Sequence, residues 1–324
     1  MTIISIESMN KGMKVVNSVR TAMNDLMPPI EIKASKRDLT ISLGIAVSEK
    51  ENDWYGALSI FGNIYKDNDG NPTNDERVKA GIWASQMLIN LGRLKQATGI
   101  LDGCSKLLAK INDDDLKLQL EAFVLEKRAW VSDYRGKPKM ALKYLNDAKN
   151  LFDSLGAGLS DEFVESRSTV EHFLGRVNFE LGNFDTAIIH FNIDLGNYKR
   201  GRKNGKPKSY GEAFNLEWLA RCYAYKNEFQ RSRELIDESI PFFEEESKLR
   251  GSRAIIAHYC LTNAEISLLD SKPTDAVYFA NEALKLRETE LPKFSKGKIE
   301  ARFVLAIALY SSIPFVFKDL FDLN

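Results

Sequence analysis

The residue types that carry chemistry are few in this chain and widely spaced. Its histidines are His172, His190 and His258. A metal site on helices needs ligands about three or four residues apart, and no pair of these histidines has that spacing. His172 and His190 approach each other only if their helices form a hairpin, so packed or hydrogen-bonded imidazoles are expected. Cys104, Cys222 and Cys260 lack the Cys-x-x-Cys pattern of zinc or redox sites. Among apolar neighbours such thiols act as small hydrophobes, and their odd number fits a reducing, cytoplasmic compartment. The stretch Asp67 to Asp75 places oxygen-bearing side chains at alternate positions, as a calcium loop does. That motif needs Gly where Pro72 stands and Glu where Val78 stands, so an ordinary Asx-, Gly- and Pro-rich loop is expected. Nucleophile elbows, Walker loops and dinucleotide fingerprints are absent from the sequence. No catalytic residue, metal or cofactor is therefore nominated, and a non-enzymatic chain is expected.

One charge run stands out. Lys199, Arg200, Arg202, Lys203, Lys206 and Lys208 fall within ten residues without an acidic one. Glycines and Pro207 interleave them, which reads as a flexible loop inserted between two elements. Isolated basic runs are usually solvated; the functional alternative is contact with phosphates or an acidic partner, weakening steeply with salt. No aromatic residue interrupts the run to stack on bases, so protein or phosphate contact ranks above nucleic acid.

Composition supports that ranking. Lys plus Arg equals Asp plus Glu at 45 each in 324 residues, which disfavours a whole-surface preference for nucleic acid or anionic membrane. Forty-four per cent hydrophobic residues leave ample material for a core. No run approaches the ~18 apolar residues of a membrane span, and the first residues lack the basic-then-apolar pattern of a signal peptide.

The elements that must position these residues follow from a repeat. An apolar helix with a small residue at its middle is followed by a short polar turn. An apolar, aromatic or proline residue comes next, and then a small residue three positions later. Gly175, Gly182, Phe184 and Ala187 form one copy; Ala220, Phe229 and Ser232 form the next. Gly92, Leu94 and Ala97 give another, as do Gly136, Pro138 and Ala141, then Pro273 and Ala276; the first runs Gly44, Trp54, Ala57. The second small residues lie at 57, 97, 141, 187, 232 and 276, spaced 40, 44, 46, 45 and 44 apart. Two antiparallel helices at ~8–10 Å separation need a small residue where their backbones cross. Each pair leaves an apolar face that only the next pair covers, so the pairs must stack.

These residues resemble the tetratricopeptide repeat family, over roughly residues 33–310. The match is strongest at Leu174, Gly175, Gly182, Phe184 and Ala187, and at Leu219, Ala220 and Tyr223. The family's usual period is ~34 residues and this one is about ten longer, as in peptide-sensing regulators, kinesin-light-chain-like arrays and sensor halves of signalling ATPases. Longer helices, or loops such as Asp67 to Asp75 and Asn197 to Tyr210, are expected to absorb the excess. The resemblance implies an all-α, right-handed α-solenoid over residues 31–324. Ahead of it, residues 1–30 read as an amphipathic capping helix ended by Pro28 and Pro29. The apolar C-terminal tail is expected to cap the array or to self-associate.

Such a superhelix presents its first-type helices on a concave groove. Helical spacing places Glu126, Trp130, Asp133 and Tyr134 there, then His172, Arg176 and Phe179, then Glu217, Arg221 and Tyr225, then His258, Leu261 and Glu265. Aromatics beside both charge signs suit a protein or peptide ligand, though the rings serve equally well in inter-helix packing. The Lys- and Asn-rich carboxylate clamp of some family members has Glu126, His172, Glu217 and Glu265 in its places, which disfavours chaperone C-termini. The expected function is a peptide-binding scaffold or adaptor, with a regulatory sensor as the alternative.

Overall fold

The computed structural model describes residues 41–50, 53–67, 72–156, 161–203, 210–250, 252–290 and 296–321. The expected capping helix at 1–30 and the lysines at 206 and 208 lie outside them. Thirteen α-helices and one 3₁₀ turn make up the described residues, with no strand among them.

These residues fall into two compact units, one ending at Val177 and one beginning at Asn178. The first holds α1 (Ile41–Lys50), α2 (Trp54–Lys66), α3 (Asn74–Asn90), α4 (Leu94–Leu108), α5 (Asp114–Tyr134), α6 (Pro138–Leu155) and most of α7 (Asp161–Glu180). The second holds the end of α7, then α8 (Phe184–Lys203), α9 (Tyr210–Tyr225), α10 (Phe229–Arg250) and a 3₁₀ turn (Arg253–Ile256). It closes with α11 (Ala257–Leu269), α12 (Pro273–Glu290) and α13 (Lys296–Phe321). From α1 to α6 and from α8 to α13 successive helices pack in chain order, and alternate helices such as α3 with α5 and α9 with α11 also touch. This is the stacking of helix pairs in an α-solenoid.

The repeat sets where each second-type helix starts. Those helices begin at Trp54, Leu94, Pro138, Phe184, Phe229 and Pro273. The small residue three positions in, Ala57, Ala97, Ala141, Ala187, Ser232 or Ala276, is fully buried every time. The first-type helices answer with Gly44, Ala84, Ala129, Gly175, Ala220 and Ala264, all buried. A Cβ on Gly44 would come within 2.5 Å of the Phe61 ring, so that crossing admits nothing larger than hydrogen. Where serine replaces alanine, its hydroxyl donates to the facing backbone: Ser232 Oγ to Ala220 O, 2.7 Å.

The turns are as regular. The residue two before the second helix takes positive φ in five repeats: Gly92, Gly136, Gly182, Asn227 and Ser271. The next residue's N–H then reaches back five residues in a Schellman closure, as in Arg93 N to Leu88 O (2.7 Å) and Glu228 N to Tyr223 O (2.9 Å).

One expectation is corrected. Gly201, Gly205 and Pro207 predict a loop from Asn197 to Tyr210, but α8 continues through Lys203. Lys199, Arg200, Arg202 and Lys203 therefore belong to the end of a helix, where cations complement the C-terminal pole of the helix dipole. Arg200 also donates to Asn197 Oδ1 one turn earlier. Since the intra-pair turns keep a fixed length, long helices of both types contribute to the long period, with 21 residues in α5 and 22 in α10.

Candidate functional site

In the first unit α5 and α7 bring together most of what helical spacing groups. Trp130 stacks obliquely on Phe173 with ring centroids 4.1 Å apart, and Tyr134 lies 6.4 Å further along α5. The Arg176 guanidinium sits 5.0 Å from the centroid of the Phe173 ring, and its Nη2 is 3.6 Å from Asp133 Oδ2. His172 meets Phe173 edge-on at 5.9 Å. Tyr134, His172 and Arg176 remain partly exposed.

Glu126 departs from a groove-wall position because it is fully buried. Trp130 Nε1 donates to its Oε1 at 3.1 Å and Lys127 Nζ to the same oxygen at 2.9 Å. Lys127 also lies over the Phe123 and Trp130 rings. Burial pushes the Glu126 carboxyl above its ordinary range, and Lys127 only partly offsets that. Glu126 Oε2 and Asp133 Oδ1 are buried acceptors with no hydrogen-bond donor in the structure.

In the second unit α9 and α11 build a polar network. Arg221 Nη2 is 2.9 Å from Glu217 Oε1, and its Nε is 3.4 Å from Glu265 Oε2. The Thr262 hydroxyl accepts from Arg221 Nε at 3.2 Å and donates to Glu217 Oε1 at 3.0 Å. Tyr225 donates its phenol proton to Glu265 Oε1 at 3.0 Å. His258 Nδ1 stands 3.6 Å from Glu217 Oε2, with its ring edge-on to Phe214. Burial would raise the Glu217 carboxyl, but Arg221, then His258 and Thr262, outweigh it and hold it below the ordinary range. Burial and Glu265 together push the Tyr225 phenol upward.

Phe179 is a packing residue, in edge contact with Phe184, Trp218 and Tyr225 at 5.1–5.4 Å. Leu261 is buried in the core with Ala257, Cys260, Ala283 and Ala301.

No protein-family model and no curated protein matches the chain. Solved structures do. BtubC (BKLC) from P. vanneervenii superposes with a TM-score of 0.55 at 12% identity, over 77% of this chain and 96% of that one. A signal transduction ATPase with numerous domains and a tetratricopeptide repeat sensor, from Pyrococcus horikoshii, gives 0.53 at 14% identity over 87% of this chain and 42% of that one. The apo form of RapI gives 0.50 at 13% identity, over 98% and 80%. The fold is that of a tetratricopeptide-like repeat array.

Within the array, spacing alone missed four residues of the two clusters. Phe173 and Trp218 are the rings on which Arg176 and Arg221 lie, the latter at 4.8 Å. Each stands three residues before its arginine, a same-face spacing that could have marked it. Lys127 and Thr262 gave no signal beyond adjacency to Glu126 and Leu261. His190 lies on the second-type helix α8, and the three cysteines are buried and free. Among the described residues no three His, Cys, Asp or Glu gather as a metal site would require, and no described helix is long and apolar enough to cross a membrane.

Proposed function

We propose that this tetratricopeptide-like array is a non-enzymatic binding module that holds a peptide or protein segment along the α5–α7 strip. The observation that carries the reading is the partly exposed surface of Tyr134, His172 and Arg176 around the Trp130–Phe173 stack, with Asp133 Oδ1, an acceptor that has no hydrogen-bond donor, on the carboxylate beside Arg176. Buried polar atoms are nearly always paired, and an extended peptide supplies backbone N–H donors at regular intervals. The Trp130–Phe173 stack provides a rigid apolar floor, and Arg176 offers a cation for a ligand carboxylate or carbonyl. The α9–α11 network fits a supporting role better, since Arg221 already bridges Glu217 and Glu265 there, although Glu217 Oε2 also has no hydrogen-bond donor. A cytoplasmic adaptor and a regulatory sensor both use such a strip. The repeat sensor named for the P. horikoshii ATPase supports the second only as a likeness of fold.

A displayed random-peptide library selected on the immobilised full chain tests this, with enriched peptides remeasured by calorimetry on Asp133→Asn/Arg176→Gln. Sequence enrichment and an affinity loss of about tenfold or more in the variant are expected, since charge-assisted contacts contribute roughly 1.5–3 kcal/mol. No enrichment, or enriched peptides indifferent to the variant, would sink the proposal.

A further inference from the structure

The helices α8 and α10 are second-type elements of successive repeats in the same unit, and their inner faces share one core. Ala187, Phe191 and Leu195 of α8 are buried there with Leu235 and Ile236 of α10. The two helices begin 45 residues apart, at Phe184 and Phe229, so residues 45 apart lie at the same depth and face the same way. Ala187 corresponds to Ser232 and Phe191 to Ile236, and all four are fully buried.

The outward faces of this matched pair carry opposite charge. Lys199 and Arg200 are exposed near the end of α8. At the corresponding places on α10 stand Glu244 and Glu245, also exposed. Within the described residues Lys199, Glu244 and Glu245 have no hydrogen-bond or ion-pair partner, and Arg200 only its bond to Asn197. Toward the N-terminus of α8 the places at equal depth are Ile189 and Ile193, 59% and 41% exposed, against the exposed Glu234 and Glu238, so the basic-to-acidic match belongs to the C-terminal ends of the pair. Gly196 lies between Ile193 and Arg200 with open space above it, so nothing on this face blocks close approach of another helix.

Where its two halves are complementary at equal depth, a surface is complementary to its own copy, and the C-terminal ends of α8 and α10 meet that condition. Rotation by a half-turn about an axis lying along and between the two helices sets each α8 on the partner's α10. The facing helices run the same way, so residues at equal depth meet. Lys199 and Arg200 then face the partner's Glu244 and Glu245, and symmetry repeats the contact on the other side. The same face on a foreign acidic protein would satisfy α8 but leave the glutamates of α10 unanswered. We propose that the α8–α10 face is a self-association surface that joins two copies of this chain through reciprocal basic-to-acidic helix contacts. This use of the basic stretch is independent of the α5–α7 strip.

Sedimentation velocity on the full chain at low and high salt tests it, with two double variants. Lys199→Glu/Arg200→Glu makes both helices acidic at this depth, and Glu244→Lys/Glu245→Lys makes both basic. The wild type is expected to form a dimer that weakens as salt screens the contacts. Each variant alone is expected to lose self-association by about tenfold or more, because like charges then face each other. An equimolar mixture of the two variants is expected to recover the dimer, since each then presents what the other lacks. A folding defect is not repaired by mixing, so recovery separates surface complementarity from damage. A monomeric wild type, variants that dimerise as well as wild type, or a mixture that stays monomeric would each overturn the proposal.

Discussion

Glu126 in the first unit and Glu217 in the second occupy the same place in the repeat, three residues before Ala129 and Ala220. Both are buried, yet their acidities move in opposite directions, Glu126 upward and Glu217 downward. The glutamates and their helical setting are alike; what differs is what the neighbouring helix presents. Glu126 has one cation, adjacent in its own helix, and the ring nitrogen of Trp130. Glu217 has Arg221 one turn on, and α11 adds Thr262 and His258. Burial of a carboxylate is costly unless several groups answer it. The repeat sets where the glutamate lies, and the next repeat decides whether its charge is tolerated.

Removing Arg221 should have the largest effect. Arg221→Ala leaves Glu217 and Glu265 facing each other without their shared cation. A loss of about 3–5 kcal/mol is expected, the usual range for breaking a buried ion pair from one side. Hydrogen exchange under urea, read on α9 to α11, localises the loss to this unit. Adding Glu217→Gln should restore part of it, because one of the uncompensated charges is gone. If the single variant costs less than about 1 kcal/mol, the network is a solvated surface cluster and the contrast with Glu126 fails.

The two glutamates should then separate by substitution and by pH. Glu217→Gln is expected to cost about 2–3 kcal/mol at neutral pH, since hydrogen bonds to charged groups contribute roughly 1.5–3 kcal/mol. Glu126→Gln is expected to change stability by less than about 1 kcal/mol, and in the favourable direction, because desolvation of its charge dominates. The pH dependence follows from linkage. The Glu217 pKa is lowered on folding, so its stabilisation is full above the ordinary glutamate range and is lost as pH falls through the lower folded value. The Glu126 pKa is raised on folding, so the folded state binds more protons between the ordinary value and the higher folded one. In that window wild-type stability falls as pH rises, and Glu126→Gln should flatten this slope. Urea midpoints measured across the acidic range check both signs; parallel profiles for the two variants would contradict the opposed shifts.

Much of this architecture is legible in the chain. Trp54, Leu94, Pro138, Phe184, Phe229 and Pro273 mark helix starts because a small residue must follow one turn later, where two backbones cross. Period and residue size are local properties, and both can be read without a structure. The clusters are legible only by face. Spacing groups Trp130, Asp133 and Arg176 correctly, but it cannot tell how closely the next helix approaches. Glu126 and Glu217 therefore read as groove walls although they are buried, and Phe179 as a ligand contact although Phe184, Trp218 and Tyr225 enclose it. The equivalent position is His172 in one repeat and Leu261 in another, so the repeat does not fix what it holds. The end of α8 was missed because Gly201 resembles a loop signal, whereas a single glycine lowers helix stability by only about 1 kcal/mol.

The smallest expected effect tests the same comparison in the turns. In the first unit the left-handed position is glycine at Gly92 and Gly136; in the second it is Gly182, then Asn227 with φ 63° and Ser271 with φ 57°. A side chain costs roughly 1–2 kcal/mol in that conformation, with asparagine among the more tolerant residues, and glycine loses some of that advantage through its greater freedom when unfolded. Ser271→Gly is accordingly expected to stabilise by roughly 0.5–1 kcal/mol, and Asn227→Gly by less. Gly92→Ala should destabilise by about 1 kcal/mol. Thermal or urea midpoints measured side by side decide it. If Ser271→Gly is neutral or destabilising, the serine makes a contact that the backbone conformation alone does not account for. The turns of the two units would then differ in kind, and not only in how well each residue suits one shared geometry.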